Sequence, residues 1–192
     1  MKSLFITATG TDVGKTFVAS GIMQALNARK INACYYKPIE SGGLKTKDGI
    51  QSGECQYVLN TSEAVQVYNT YCFEKPVSPH LAARLEGKMI EPSKIINTYN
   101  DLVANHEFTL VEGAGGIFVP LIEYEYMLYD LINDMEIETV VVTDAGLGAI
   151  NHTTLTVALM KQMEIPVKGI IVNRYNGGLI HSENVEAIEC LT

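Results

Sequence analysis

Apolar residues along this chain follow two rhythms. Short apolar runs open residues 4–16 and fill 108–111 and 139–143, and β-prone runs with single polar residues occupy 31–37 and 167–172, each stopped by small, polar or proline residues. Runs of this length, β-branched as in TVVVT at 139–143, read as buried strands of a parallel sheet. Between them apolar residues return every three or four positions, which is helical spacing. Phe17, Val18, Gly21, Ile22, Ala25 and Leu26 give the first helix a buried face, with Gln24 and Asn27 turned outward. Glu54, Tyr57, Val58 and Leu59 mark a short helix, Leu81 and Leu85 another. Pro92, suited to a first helical turn, precedes Ile95, Ile96, Tyr99, Leu102 and Val103 at helical spacing. Leu155, Ala158 and Leu159 face inward in a later helix, and a last one starts near Ser182. Residues 65–87, broken by Pro76 and by Ser78-Pro79-His80, read as irregular. Strands alternating with helices predict an α/β fold: a doubly wound, mostly parallel sheet with helices on both faces.

Composition narrows the partners. With 192 residues, 47% hydrophobic and 19% charged, the chain has apolar material for one core, so residues 1–192 are read as a single domain. A net charge of −8 counts against nucleic acid as a partner, because phosphate backbones are held by clustered Lys and Arg. Cys34, Cys55, Cys72 and Cys190 show neither C-x-x-C spacing nor a histidine at zinc-finger distance, so free thiols are expected. No basic-then-apolar signal pattern opens the chain, and no apolar run approaches the roughly 18 residues of a membrane span. A cytoplasmic location without a membrane partner is the expectation.

Chemistry concentrates where strands end. In LFITATGTDVGKT, residues 4–16, an apolar run gives way to small residues and closes on Gly-Lys-Thr, which reads as strand, phosphate loop and helix. Backbone N–H groups converge on phosphate oxygens only where side chains are small, and the following helix adds its unpaired N–H groups and positive dipole end. Lys15 would then hold the outer phosphates and Thr16 the metal. Thr9 occupies the first position of G-x-x-x-x-G-K-[ST], where glycine is usual, and Gly10 falls one place late. Pro38 forces Lys37 into an extended conformation at a strand's carboxyl end, where open α/β sheets bind ligands; a solvated strand-end charge is the other reading. Ser41, in the glycine-rich stretch 40–53, is either a substrate contact or a turn residue. Glu112 closes a strand and meets Gly113-Ala114-Gly115-Gly116, which suits a Mg²⁺ carboxylate beside backbone that can approach phosphate, or simple solvation. Asn151 reads as a helix cap and Asn173 as either a base-reading amide or a turn residue. His80 is read as packing at a helix start or else as a catalytic base, and Tyr124, Tyr126 and Tyr129 as ordinary packing in an aromatic loop or else as a cover over a site.

The ordered set TGTDVGKT, YYKPIESG, SPHLAA, LVEGAGGIFVPL, DAGLGAINHTTLT and IIVNRYN strongly resembles the dethiobiotin synthetase family of P-loop ATPases, over essentially the whole chain. The resemblance implies a P-loop NTPase type of sheet. It also implies a homodimer that carboxylates 7,8-diaminononanoate with CO₂ and closes a ureido ring at the expense of ATP, with Mg²⁺. By matching positions, it implies nucleotide contacts at Asp12, Val13, Gly14, Lys15, Thr16 and Phe17. Further nucleotide contacts are implied at Glu54, Glu112, Gly113, Ala114, Gly115, Asn173 and Arg174. Mg²⁺ ligands would be Thr16, Glu54 and Glu112, and the catalytic residues Lys37 and Lys15. Substrate contacts are implied at Thr11 and Ser41, and across the dimer interface at Gly148, Ala149, Ile150 and Asn151.

The family usually has aspartate where this chain has Glu54, which keeps the charge and moves it outward. Members also continue past the position of Thr192 with a further strand and an adenine-contacting loop, so that segment is expected to be missing from residues 1–192. Two other functions share the loop: a nucleotide-switched partitioning or positioning ATPase, and a related ligase with another acceptor. The switch proteins usually carry an extra lysine early in the loop, and residues 8–10 contain none. The implied chemistry is carbamate formation, phosphorylation of the carbamate to a mixed anhydride, and ring closure. It calls for cations and positioning more than for a base.

Overall fold

The computed structural model describes residues 2–62 and 65–192. The chain begins β1 (Ser3–Ala8), α1 (Lys15–Ala28), β2 (Ala33–Ser41), the short strands β3 (Leu44–Thr46) and β4 (Gly49–Gln51), and α2 (Gly53–Thr61). Next come β5 (Gln66–Phe73), α3 (Pro79–Leu85), α4 (Pro92–Asn105), β6 (Phe108–Glu112), β7 (Pro120–Ile122) and β8 (Tyr126–Met127). It closes with α5 (Leu128–Asp134), β9 (Thr139–Asp144), α6 (Ala149–Gln162), β10 (Val167–Asn173) and α7 (Leu179–Leu191).

Six strands form one sheet in the order β10-β9-β1-β6-β2-β5, and every pairing in it is parallel. Parallel strands put all their carboxyl ends on one rim, so the segments after β1, β2, β6, β9 and β10 emerge together. Successive strand residues point to opposite faces. Phe5, Tyr36, Val111 and Val141 accordingly pack in one core with α3, α4, α5 and α6, while Ile6, Tyr35, Leu110 and Val142 pack in the other with α1 and α2. The sheet is doubly wound, as the alternation of runs predicts. Among the described residues no helix is long and apolar enough to cross a membrane.

Four local expectations are corrected. Residues 65–87 are not irregular throughout, because Gln66–Phe73 is the edge strand β5. Its residues are mostly half-buried and include Asn69 and Thr70, so no apolar run announces it. Pro38 does not end β2: β6 pairs with β2 only as far as Tyr36, so the missing N–H falls where a ladder bond has already been given up. β5 continues alongside to Ser41. In α1 the buried face is Lys15, Ala19, Ser20 and Met23, with Phe17 64% exposed. The loop aims Lys15 inward, and positions four and eight residues on follow it. In α6 the buried residues are Ala149, Thr153, Thr156, Val157 and Met160, while Leu155 is 63% exposed. Thr153 can be buried because its hydroxyl bonds Thr143 Oγ1 at 2.9 Å.

Candidate active site

A cavity of about 940 Å³ opens at the carboxyl rim. Its wall takes Thr11, Asp12 and Gly14 from the loop after β1, Lys15 and Thr16 from the start of α1, Lys37 and Ser41 from β2, and Glu54 from the first turn of α2. Ala114 and Gly115 after β6 and Arg174 after β10 complete the part that sequence predicts.

The loop is shaped by backbone. Gly14 has φ 99°, a conformation strained for any L side chain, and a Cβ there would lie 2.1 Å from Asn173 Nδ2 and have to displace it. Asn173 reaches across from β10 and donates Nδ2 to the Val13 carbonyl at 2.9 Å, while Arg174 donates to the Asp12 carbonyl. Lys15 Nζ donates to Gly10 O at 3.1 Å. Burial lowers the Lys15 pKa, and the charge of Lys37 lowers it further.

Lys37 is the centre of the charge network. Only 1% exposed, it ion-pairs with Glu54, donates to Glu112 Oε1 at 3.1 Å and to the Gly113 carbonyl at 2.9 Å. Burial opposes its charge, but Glu112 and Glu54 outweigh that and hold the ammonium above its ordinary range. Glu112 Oε1 also accepts from Thr16 Oγ1 at 2.9 Å, and Oε2 accepts from Tyr35 Oη at 2.9 Å. Glu54 is pushed up to about 7, first by burial and then by the charge of Glu112, against the pull of Lys37. Loop, β2, α2 and β6 thus meet in one group of alternating charges. Ser41 Oγ is buried in the cavity wall without a hydrogen-bond partner among the described residues, so it has bonding capacity left for a ligand.

Some expected residues stand apart. Phe17 points to solvent, and Gly148, Ala149, Ile150 and Asn151 form the start of α6 on the same rim without lining this cavity. Gly148 there has φ 93°. His80 lies in the first turn of α3, its ring 5.6 Å from Tyr124. Sequence reading also missed residues: Tyr35, bonded to Glu112, and Glu40, Pro76, Val77 and Val119 in the cavity wall. Glu40 stands inside the KPIES string, and an acid in a buried strand beside Lys37 was the signal available.

A strand handing the chain through a left-handed glycine to a helix that starts with a buried lysine, its threonine bonded to the acid of the adjacent strand, is the build of a P-loop ATPase. Solved structures share this fold. A ParA family ATPase from Chlorobium tepidum superposes with TM-score 0.60 at 14% identity over 98% of this chain and 82% of its own. The MinC:MinD cell division protein complex of Aquifex aeolicus gives 0.61 at 18% over 100% and 77%. The family model described as AAA domain matches residues 2–192. Within that class the relatives are specific: an ATP-dependent dethiobiotin synthetase BioD of Clostridium perfringens is 39% identical over 100% of this chain and 86% of its own length. One of Clostridium botulinum is 40% identical over 96% and 84%. The chain belongs to the dethiobiotin synthetase family.

Proposed function

We propose that this chain is an ATP-dependent dethiobiotin synthetase, a cyclo-ligase that carboxylates 7,8-diaminononanoate with CO₂ and closes the ureido ring. The observation that carries the reading is the convergence of Lys15, Lys37, Ser41, Glu54 and the Thr16–Glu112 pair on one cavity at the carboxyl rim. In it the loop amides and Lys15 bind the triphosphate, and Lys37 lies where negative charge develops as the γ-phosphoryl passes to the carbamate. Ser41 orients the substrate with its free hydroxyl. Two ammonium groups beside the diamine favour its neutral, nucleophilic form, since a like charge opposes protonation.

Thr16, Glu54 and Glu112 fit Mg²⁺: the donors are oxygens only, two of them carboxylates, and the phosphates supply the rest of such a shell. Bound there, the cation would neutralise phosphate charge. Asn173 and Arg174, packed on the loop, face the base end of the site in this reading.

The functional unit is a homodimer in the cytoplasm. Gly148, Ala149, Ile150 and Asn151 meet the substrate carboxylate of the partner's site, and the exposed Leu147 and Leu155 flanking them are apolar surface for the contact. ATP turnover measured with and without bicarbonate and 7,8-diaminononanoate tests the reading, with dethiobiotin identified by mass spectrometry. Turnover that needs both substrates and yields dethiobiotin is the expected result. Stimulation by DNA or lipid instead, or by a different acceptor, would replace it.

A further inference from the structure

Glu40 belongs to no step described so far, yet it is a buried carboxylate in the cavity wall, only 5% exposed. Its bonds all run to the start of α2. Oε2 accepts from the Ser52 hydroxyl, while Oε1 accepts from the backbone N–H of Gly53 at 2.8 Å and of Glu54 at 3.4 Å. Ser52 Oγ in turn accepts from Cys55 N–H at 2.9 Å, and Gln56 N–H reaches the Ser52 carbonyl at 3.1 Å. A helix leaves its first N–H groups to be satisfied from outside or by the cap; here Glu40 takes those of Gly53 and Glu54 and Ser52 Oγ that of Cys55, while Gln56 makes the first bond within the helix. A carboxylate is also the favoured partner of the positive helix end.

That turn carries Glu54, whose carboxylate meets Lys37. Glu54 has three side-chain torsions, and its position depends first on where its own Cα is held. Glu40 fixes that Cα from β2, three residues along the strand from Lys37, so both ends of the Lys37–Glu54 pair are referred to the same strand. From this geometry we propose that Glu40 is a positioning residue: it anchors the first turn of α2 so that Glu54 stands at the metal side of the nucleotide site.

The inference rests on the reading of the cavity as a Mg²⁺–nucleotide site. Partners that orient metal-ligating carboxylates are worth about 10–100-fold in metal affinity. Glu40→Ala removes every acceptor at once. Glu40→Gln keeps an acceptor for Gly53 and a donor for Ser52 Oγ, and therefore serves as the conservative rescue.

The test compares wild type, E40A, E40Q and E40D by calorimetry of ATP binding with EDTA and across a Mg²⁺ titration, and by amide exchange at residues 53–55. In E40A the half-saturating Mg²⁺ concentration rises about 10-fold or more while Mg²⁺-free ATP affinity stays within about twofold. The Gly53 and Glu54 amides exchange at least about 10-fold faster, and E40Q recovers most of both effects. Unchanged Mg²⁺ dependence in E40A, or equal losses in E40A and E40Q, overturns the assignment. If E40A does not fold, E40D decides: it keeps the charge but is one methylene too short to hold Gly53 and Ser52 together, and wild-type Mg²⁺ dependence and exchange in it overturn the assignment. A wild-type protein whose ATP binding ignores Mg²⁺ overturns the site reading itself, a result distinct from failure of the Glu40 role alone.

Discussion

The hydroxyl of Tyr35 offers the most direct measure of how the site is held. Tyr35 and Glu112 are both fully buried, and the 2.9 Å bond from Tyr35 Oη is the hydrogen bond to Glu112 Oε2; Thr16 and Lys37 both use Oε1. Tyr35→Phe keeps the ring and its apolar contacts and leaves a charged oxygen without its donor. Hydrogen bonds to charged groups contribute about 1.5–3 kcal/mol, so a loss of about 2 kcal/mol is expected. For a domain of this size that is roughly 4–8 °C in Tm. The neighbouring Tyr36 supplies the internal standard. Its hydroxyl pairs with Thr70 Oγ1 at 2.6 Å and the Ile95 carbonyl at 3.3 Å, both uncharged, so Tyr36→Phe should cost about 1 kcal/mol. Urea unfolding of the two variants, with m unchanged, gives the comparison. A Tyr35→Phe loss no larger than that of Tyr36→Phe would refute the claim that Tyr35 stabilises a buried carboxylate.

Three further outcomes are expected. Lys37→Gln lowers synthetase turnover by about 10²-fold or more with a smaller change in ATP affinity, read by product formation and calorimetry on protein checked for folding by circular dichroism; wild-type turnover would remove Lys37 from the mechanism. Gly14→Ala places a Cβ 2.1 Å from Asn173 Nδ2 at φ 99°, so it displaces Asn173 from Val13 and weakens nucleotide binding by at least about tenfold. An unchanged Kd would show that the loop need not hold this shape. Glu54 titrates near 7 in the folded chain against an ordinary 4.5, so its contribution to stability is present below pH 4.5 and lost as pH rises through about 7. Glu54→Gln should therefore gain on wild type between pH 5 and pH 8 in metal-free urea melts, and a constant difference would contradict the burial that raises its pKa.

Much of the architecture was legible because it is local. A phosphate loop needs small residues between a buried strand and a helix, and residues 4–16 satisfy that within 13 positions. β9 is an apolar run, β10 carries one in Ile170-Ile171-Val172, and the α4 pattern places Ile95, Tyr99 and Leu102 inward as observed. What failed was the azimuth of helices with apolar residues on several faces. In α1 and α6 the period was right and the buried side was not, because the loop orientation and the Thr143–Thr153 bond choose the face. Both edge strands, β5 and β10, are half-buried, but β10 keeps the apolar stretch Ile170-Ile171-Val172 while β5 carries Asn69 and Thr70 in its middle, where Asn69 Nδ2 bonds the Lys37 and Tyr71 carbonyls, so β5 shows no apolar run.

By itself the sequence determined a phosphate-loop motif, an α/β order of elements and the charged and hydroxyl residue types from which the cavity at the carboxyl rim is built. Only the tertiary structure decided which charges meet. Lys37 and Glu112 are 75 positions apart, and Tyr35 and Glu112 are 77 apart, yet each pair is in direct contact. No periodicity carries that information, because it depends on β6 inserting between β1 and β2 in the sheet and bringing its carboxyl end beside theirs. Strand order is set by packing of both faces at once, and side chains separated by a whole crossover find one another only after that packing is complete.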